Sequence, residues 1–70
     1  MRTITKRQHE ILMFIRASSK TNGYAPSIPE ITKHFGLGSI ATVHKHLKYL
    51  VNKGFLVHEP YSKRGYVEPE

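Results

Sequence analysis

The segment between Gly36 and Gly54 limits what this chain can fold into more than any other, because it has the length of a helix and a glycine at each end. With about 100° of turn per residue, its apolar and polar side chains separate onto opposite faces. The apolar face carries Val43, Leu47, Leu50 and Val51. The polar face carries Ala41, Lys45, Lys48 and Asn52. We therefore predict a helix over about 39–53 that packs through one face and offers the other to a partner.

The charge of the chain indicates that this partner is negatively charged. Eleven Lys and Arg residues stand against five Glu and no Asp, for a formal net charge of +6, and no acidic residue occurs from Ile31 through His58. The sequence pI of about 9.9 exceeds the value of about 9 that is typical of nucleic-acid-binding domains. DNA is the leading candidate, although RNA-binding folds and membrane-surface helices are equally basic.

Length and composition predict one small domain over residues 1–70, with no room for a second. A domain of this size buries about 60% of its unfolded surface and is marginally stable. The absence of cysteine excludes a disulfide framework and fits a reducing cytoplasm. There is no signal-peptide pattern and no run of roughly 20 apolar residues. We expect a cytoplasmic protein with no membrane partner.

Capping boxes predict two helices before the glycine-bounded segment. Thr5 with Gln8 starts the first helix, which should fade near Ser19 or Lys20. Ser27 with Glu30 starts a short second helix at about residue 28, which a glycine at position 36 ends. The apolar residues predicted to form the core of all three helices are Ile11, Leu12, Ile15, Ile31, Phe35, Val43, Leu47 and Leu50.

The pattern changes after the third helix, which we expect Ser39 to cap. Phe55, Val57 and Tyr66–Val67 flank a polar segment that contains Pro60, and this arrangement predicts a short β-hairpin. The fold class is therefore mainly α with a small β-hairpin, a winged helix-turn-helix of three helices plus a wing. The second and third helices match the motif that places a recognition helix in the DNA major groove.

Residues along nearly the whole chain also match a known family. They are Thr5-Lys6-Arg7-Gln8, Ile11-Leu12, Phe14-Ile15, Gly23-Tyr24, Pro26-Ser27, Glu30-Ile31, Gly36-Leu37, Ser39, Thr42-Val43-His44, His46-Leu47, Leu50 and Lys53-Gly54. In these residues the chain resembles the DNA-binding domain of LexA repressors. Within the recognition helix, Thr42-Val43-His44 and His46-Leu47 are most similar to the Gram-positive type.

The resemblance implies a bacterial, nucleoid-associated repressor of SOS (DNA-damage-response) genes. Such a repressor binds a palindromic operator on double-stranded DNA as a homodimer, with one domain on each half-site. Members of the family normally continue into a C-terminal domain with a Ser-Lys self-cleaving peptidase and most of the dimer contact. These 70 residues cannot supply that domain, so we expect the isolated chain to be monomeric or weakly dimeric.

Individual residues receive roles from their position on the helix-turn-helix. The first turns of a recognition helix enter the groove, so the candidates for base contact are Ser39, Ala41, Thr42, His44 and Lys45. Cations elsewhere are candidates for phosphate contact: Arg7, Lys33, Lys48, Lys53, Lys63 and Arg64. Lys63 and Arg64 stand at the hairpin tip, where a wing can approach the minor groove.

Neither catalysis nor a metal site is predicted. His44 and His46 are two residues apart and diverge by about 200° on a helix, whereas a helical zinc pair needs positions i and i+4. Without Cys or Asp, no nucleophile has an evident base. We therefore expect no enzymatic activity, no metal and no cofactor.

Two alternatives to an SOS repressor stay open. The chain could be another winged-helix regulator or a protein-interaction adaptor, and an adaptor more often exposes an apolar patch than a basic stripe. It could also bind RNA, but RNA readers usually cluster aromatic residues on their surface for stacking. Most of the seven Phe and Tyr residues are instead expected in helix cores or the hairpin.

Overall fold

A computed structural model describes residues 4–59 and 65–69 of the chain. Its elements in chain order are α1 (Lys6–Asn22), α2 (Ile28–His34), α3 (Ile40–Asn52), β1 (Val57–His58) and β2 (Tyr66–Val67). The strands pair antiparallel, with Val57 opposite Val67 and His58 opposite Tyr66. Three helices followed by a two-stranded hairpin confirm the predicted winged helix-turn-helix class.

Both predicted capping boxes are present and set where α1 and α2 begin. The amide N–H of Gln8 donates to the Thr5 hydroxyl, and the Gln8 side chain accepts from the Thr5 amide at 3.0 Å. Ser27 and Glu30 repeat this exchange, with 2.9 Å between the Ser27 amide and the Glu30 carboxylate. Each box satisfies two amides that would otherwise lack a partner at the helix start.

The predicted end of α1 near Ser19 or Lys20 is wrong, because the helix continues to Asn22. The chain leaves the helix only at Gly23, which adopts the left-handed conformation (φ 81°) while its amide donates to the Ser19 carbonyl. Thr and Asn are common in turns, but Thr21 and Asn22 can stay helical because the glycine that follows them ends the helix.

Gly36 ends α2 as predicted, with a φ of 64° that disfavours residues carrying a Cβ. The amide of Gly36 donates to the Lys33 carbonyl, and the amide of Leu37 donates to the Thr32 carbonyl. This pair of bonds is the Schellman motif, which satisfies free carbonyls at the end of a helix. It turns the chain sharply and directs it into α3.

Ser39 precedes α3 as predicted, but its hydroxyl makes no capping hydrogen bond. Its φ of −144° is more extended than the values of −71° at Thr5 and −78° at Ser27, the two residues whose side chains do cap a helix. The residue three positions later is Thr42 rather than Glu or Gln, so no capping box can form. The predicted side-chain cap is therefore wrong, while the predicted start of α3 is confirmed.

Seven of the eight predicted core residues are almost fully buried, and the prediction is wrong for Phe35. Phe35 is partly exposed, because the C-cap position of α2 places its ring edge-on to Phe14 and His34 near the surface. The core also contains Leu56 and Tyr66, which tie the hairpin to the helices. No helix in the described part of the chain is long and apolar enough to cross a membrane.

Candidate nucleic-acid interface

The packing of α3 decides which of its side chains face solvent. Val43, Leu47 and Leu50 are fully buried against the other helices. Leu37, in the turn before the helix, is partly buried and packs on the same core. With one face held in this way, the opposite face of α3 and its first turn are directed outwards.

All five residues predicted to contact bases are exposed on α3 or immediately before it. They are Ser39, Ala41, Thr42, His44 and Lys45. Because the Ser39 hydroxyl is not used as a helix cap, it can donate or accept a hydrogen bond at the surface. The structure thus brings together, at one end of one helix, hydroxyl, methyl, imidazole and ammonium groups that can recognise base edges.

Three of the lysines predicted to contact phosphate lie among the described residues, and none of them forms an ion pair there. Lys33 on α2 and Lys48 on α3 are exposed, and the described residues include no salt bridge to either. The Lys53 ammonium lies 5.4 Å from the centre of the Tyr49 ring. Lys63 and Arg64, at the predicted hairpin tip, lie outside the described residues.

Arg7 has a different environment from these lysines. Its guanidinium lies 3.8 Å from the Glu10 carboxylate and 5.2 Å from the centre of the Phe35 ring. The cation therefore has an acidic partner and an aromatic partner within the fold. The described contacts of Arg7 join α1 to the end of α2, and they do not join it to α3.

An aromatic cluster links α3 to the hairpin. The His58 ring stacks on Tyr66 with 4.7 Å between ring centres, and the His44 ring meets Tyr66 edge-on at 6.2 Å. Tyr66 is buried, whereas both histidines are exposed. The same tyrosine thus contacts a candidate base-reading residue of α3 and a residue of β1, and fixes the spacing between them.

An open cleft of about 530 Å³ lies beside this cluster, between the first turn of α2, α3 and the hairpin. Its lining residues are Ser27, Ile28, Pro29, His44, His58, Gly65 and Tyr66. A second depression of about 350 Å³ continues along α3 past Lys48 and Asn52. Lys48 and the two histidines can all donate to anionic oxygens, so a strand of nucleic-acid backbone fits the chemistry of this surface.

Sequence analysis did not single out His58 as a functional residue. His58 is recognised by its cross-strand pairing with Tyr66. The sequence alone does not give this pairing, because the register is set when the hairpin folds. Among the described residues no group of three or more His, Cys, Asp or Glu side chains could hold a metal ion. The site therefore consists of hydrogen-bond donors, methyl groups and cations.

Comparison with known protein families decides what kind of domain carries this surface. The profile of the LexA DNA binding domain matches residues 1–65, which is nearly the whole chain. The chain belongs to the LexA DNA-binding domain family. The resemblance inferred from the residues is thereby confirmed.

Curated LexA repressors give the same result. Those of Geobacillus thermodenitrificans (strain NG80-2), Geobacillus kaustophilus (strain HTA426) and Staphylococcus aureus (strain USA300) are each 45% identical to this chain over 65 residues. The matched segment is 93% of this chain and 31% of each relative. The chain thus spans about a third of the length of these relatives.

Membership of the LexA family confirms the coarser part of the functional prediction. Residues 1–65 match the DNA-binding domain of a family of repressors, which supports double-stranded DNA as the partner of this domain. The matched family is a binding domain, so the prediction that these residues are not an enzyme is also confirmed. The open alternatives of an adaptor and an RNA reader are not supported by this match.

Proposed function

We propose that this LexA-family domain binds a palindromic operator of SOS genes and represses their transcription, with α3 in the major groove. The exposed, acid-free side of α3 is the observation that carries the proposal. Thirteen residues give α3 a length of about 20 Å, and the major groove of B-DNA admits an α-helix. The family of repressors to which the chain belongs supports the regulatory role.

Base recognition is assigned to the first turns of α3. Lys45 donates to guanine O6 or N7, and His44 donates to an acceptor on a base edge. The methyl groups of Ala41 and Thr42 meet thymine methyls, and the Ser39 hydroxyl bonds to a base edge or a neighbouring phosphate. Support comes from the exposure of all five side chains and from the hydroxyl of Ser39 that the helix cap leaves unused.

Phosphate contacts position the domain without reading sequence. We assign them to Lys33, Lys48 and Lys53, and to Lys63 and Arg64 beyond the described residues. His58 joins this set because it borders the second depression together with Lys48. Arg7 contributes least, since its guanidinium is held by Glu10 and Phe35.

Two copies of the domain occupy the two halves of the palindrome. Major grooves on one side of B-DNA recur about every 34–36 Å, and half-sites of helix-turn-helix dimers follow this spacing or its multiples. Linking two domains makes the second contact intramolecular and raises the overall affinity. A single unlinked copy is therefore expected to bind a half-site weakly.

The test is a titration of the 70-residue chain into a palindromic SOS-box duplex and into a scrambled duplex, each at two salt concentrations. The proposal predicts tighter binding to the palindrome and a steep loss of affinity with salt, because each neutralised phosphate releases counterions. Equal affinity for both duplexes would contradict the proposed recognition of a palindromic operator, although the chain would still bind DNA.

A further inference from the structure

Ile40 is the first residue of α3, and its side chain is not among the described residues that pack against the hydrophobic core. It is 51% exposed, although isoleucine is among the residue types most often buried. Eight partly buried apolar residues in the described part of the chain pack against the core, and Ile40 is not one of them. A β-branched residue also brings no advantage in helix propensity. Neither stability nor helix formation explains an isoleucine at this position.

The neighbours of Ile40 show to which surface its exposed side chain belongs. It lies between Ser39 and Ala41, which are also exposed, on a helix that carries no acidic residue. Ile40 and His44 are four residues apart and therefore share one side of α3. His44 borders the open cleft between α3 and the hairpin. The isoleucine thus stands at the leading end of the surface assigned to DNA, and its side chain extends farther from the helix than that of Ala41.

We propose that Ile40 determines specificity by packing against the C5-methyl group of a thymine in the major groove. This inference rests on the proposed function. The thymine methyl is the one apolar group that base pairs present in that groove, and aliphatic side chains recognise it by contact. Ile40 thereby favours a T·A pair over the other pairs at one position of each half-site, next to the positions read through hydrogen bonds.

Uracil tests this contact, because it pairs like thymine and lacks only the methyl group. The preferred duplex is first selected from a random library with the unmodified chain, and each thymine of the half-site is then replaced by uracil in turn. At the position that Ile40 contacts we expect the Kd to rise about fourfold, which corresponds to about 0.8 kcal/mol, the value of one buried methylene-sized group. With Ile40→Ala, thymine and uracil at that position should bind equally.

Two variants serve as matched controls. Ile40→Val keeps a branched aliphatic side chain and should retain most of the difference between thymine and uracil. Val57→Ala truncates another exposed β-branched residue, on β1, and should leave that difference unchanged whatever it does to overall affinity. The melting temperature of Ile40→Ala should stay close to that of the unmodified chain, because Ile40 is half-exposed and is not among the described residues that pack against the core.

The outcomes separate this inference from the proposed function. If no sequence is enriched from the random library, the proposed function fails and the assignment of Ile40 fails with it. If a sequence is enriched but no uracil substitution weakens binding, the inference is overturned together with the thymine contacts assigned to Ala41 and Thr42, while sequence-specific binding stands. The inference alone is overturned if Ile40→Ala retains the full sensitivity to uracil, because another side chain then contacts the methyl group.

Discussion

The helices α1 and α3 both expose cations, but they differ in what those cations contact. On α1, Arg7 lies beside Glu10, and the Arg16 Nε atom lies 2.7 Å from an oxygen of Glu68. On α3, Lys45 and Lys48 form no ion pair with any described residue. The two arginines of α1 therefore have acidic partners within the fold, while the two lysines of α3 remain available to another molecule. Net charge alone does not distinguish these two surfaces.

The largest effect should come from breaking the buried face of α3. Leu47→Ala removes a fully buried side chain and should lower the free energy of unfolding by about 2–5 kcal/mol, because it leaves a cavity in the core. For a domain this small, that is enough to unfold much of the protein. Circular dichroism during denaturant unfolding measures the change. An unchanged midpoint would show that α3 is not anchored as described.

Lys45→Ala should have the next largest effect, on the choice of DNA sequence. Loss of a contact to a guanine edge should reduce discrimination between the palindrome and a scrambled duplex by about 1–3 kcal/mol. Competitive fluorescence anisotropy measures both affinities. The control is Lys20→Ala, which removes an exposed lysine from the last turn of α1. If Lys45→Ala loses the same affinity for both duplexes, Lys45 does not contact a base.

Lys48→Ala should weaken binding to all duplexes about equally and reduce the slope of log affinity against log salt by roughly one unit. Arg7→Ala provides the matching change on α1. The Arg7 guanidinium already has partners within the fold, so its loss should matter less to DNA. We expect a smaller change in salt slope for Arg7→Ala than for Lys48→Ala in the same titrations. The reverse order would mean that α1 contributes more to DNA binding than α3.

The smallest effect should come from Arg16→Ala. Its ion pair with Glu68 is exposed, and exposed pairs of this kind contribute about 0.2–1 kcal/mol. Stability should fall within that range and the loss should shrink at high salt, while affinity for DNA stays unchanged. A clear loss of DNA affinity at constant stability would place Arg16 in the interface.

The parts of the fold that local sequence rules govern were predictable. Both capping boxes and the glycine that ends α2 depend on residues within a few positions of each other, and all three are confirmed. Two of the wrong predictions, the end of α1 and the side-chain cap of α3, concern choices between local options, whereas the burial of Phe35 depends on how α1 and α2 pack. The chain remained helical through Asn22 because Gly23 was available to end the helix, and Ser39 took a more extended backbone conformation in which its hydroxyl makes no cap hydrogen bond.

The site was predictable where helical periodicity determines exposure, and less so where separate elements meet. The exposure of Ala41, Thr42, His44 and Lys45 follows from the spacing of the buried residues in α3. The cluster of His44, His58 and Tyr66 joins a helix to both strands of the hairpin, and no local pattern specifies that contact. The exposure of Ile40 also escaped sequence analysis, since an isoleucine at a helix start is normally expected to pack.

The most direct test of the account is chemical footprinting of the selected duplex with dimethyl sulfate, which methylates guanine N7 in the major groove and adenine N3 in the minor groove. If α3 reads the major groove, the chain should protect guanine N7 within each half-site, and Lys45→Ala should lift that protection at one guanine. Protection confined to adenine N3, with guanine N7 fully reactive, would contradict the placement of α3 and with it the central claim.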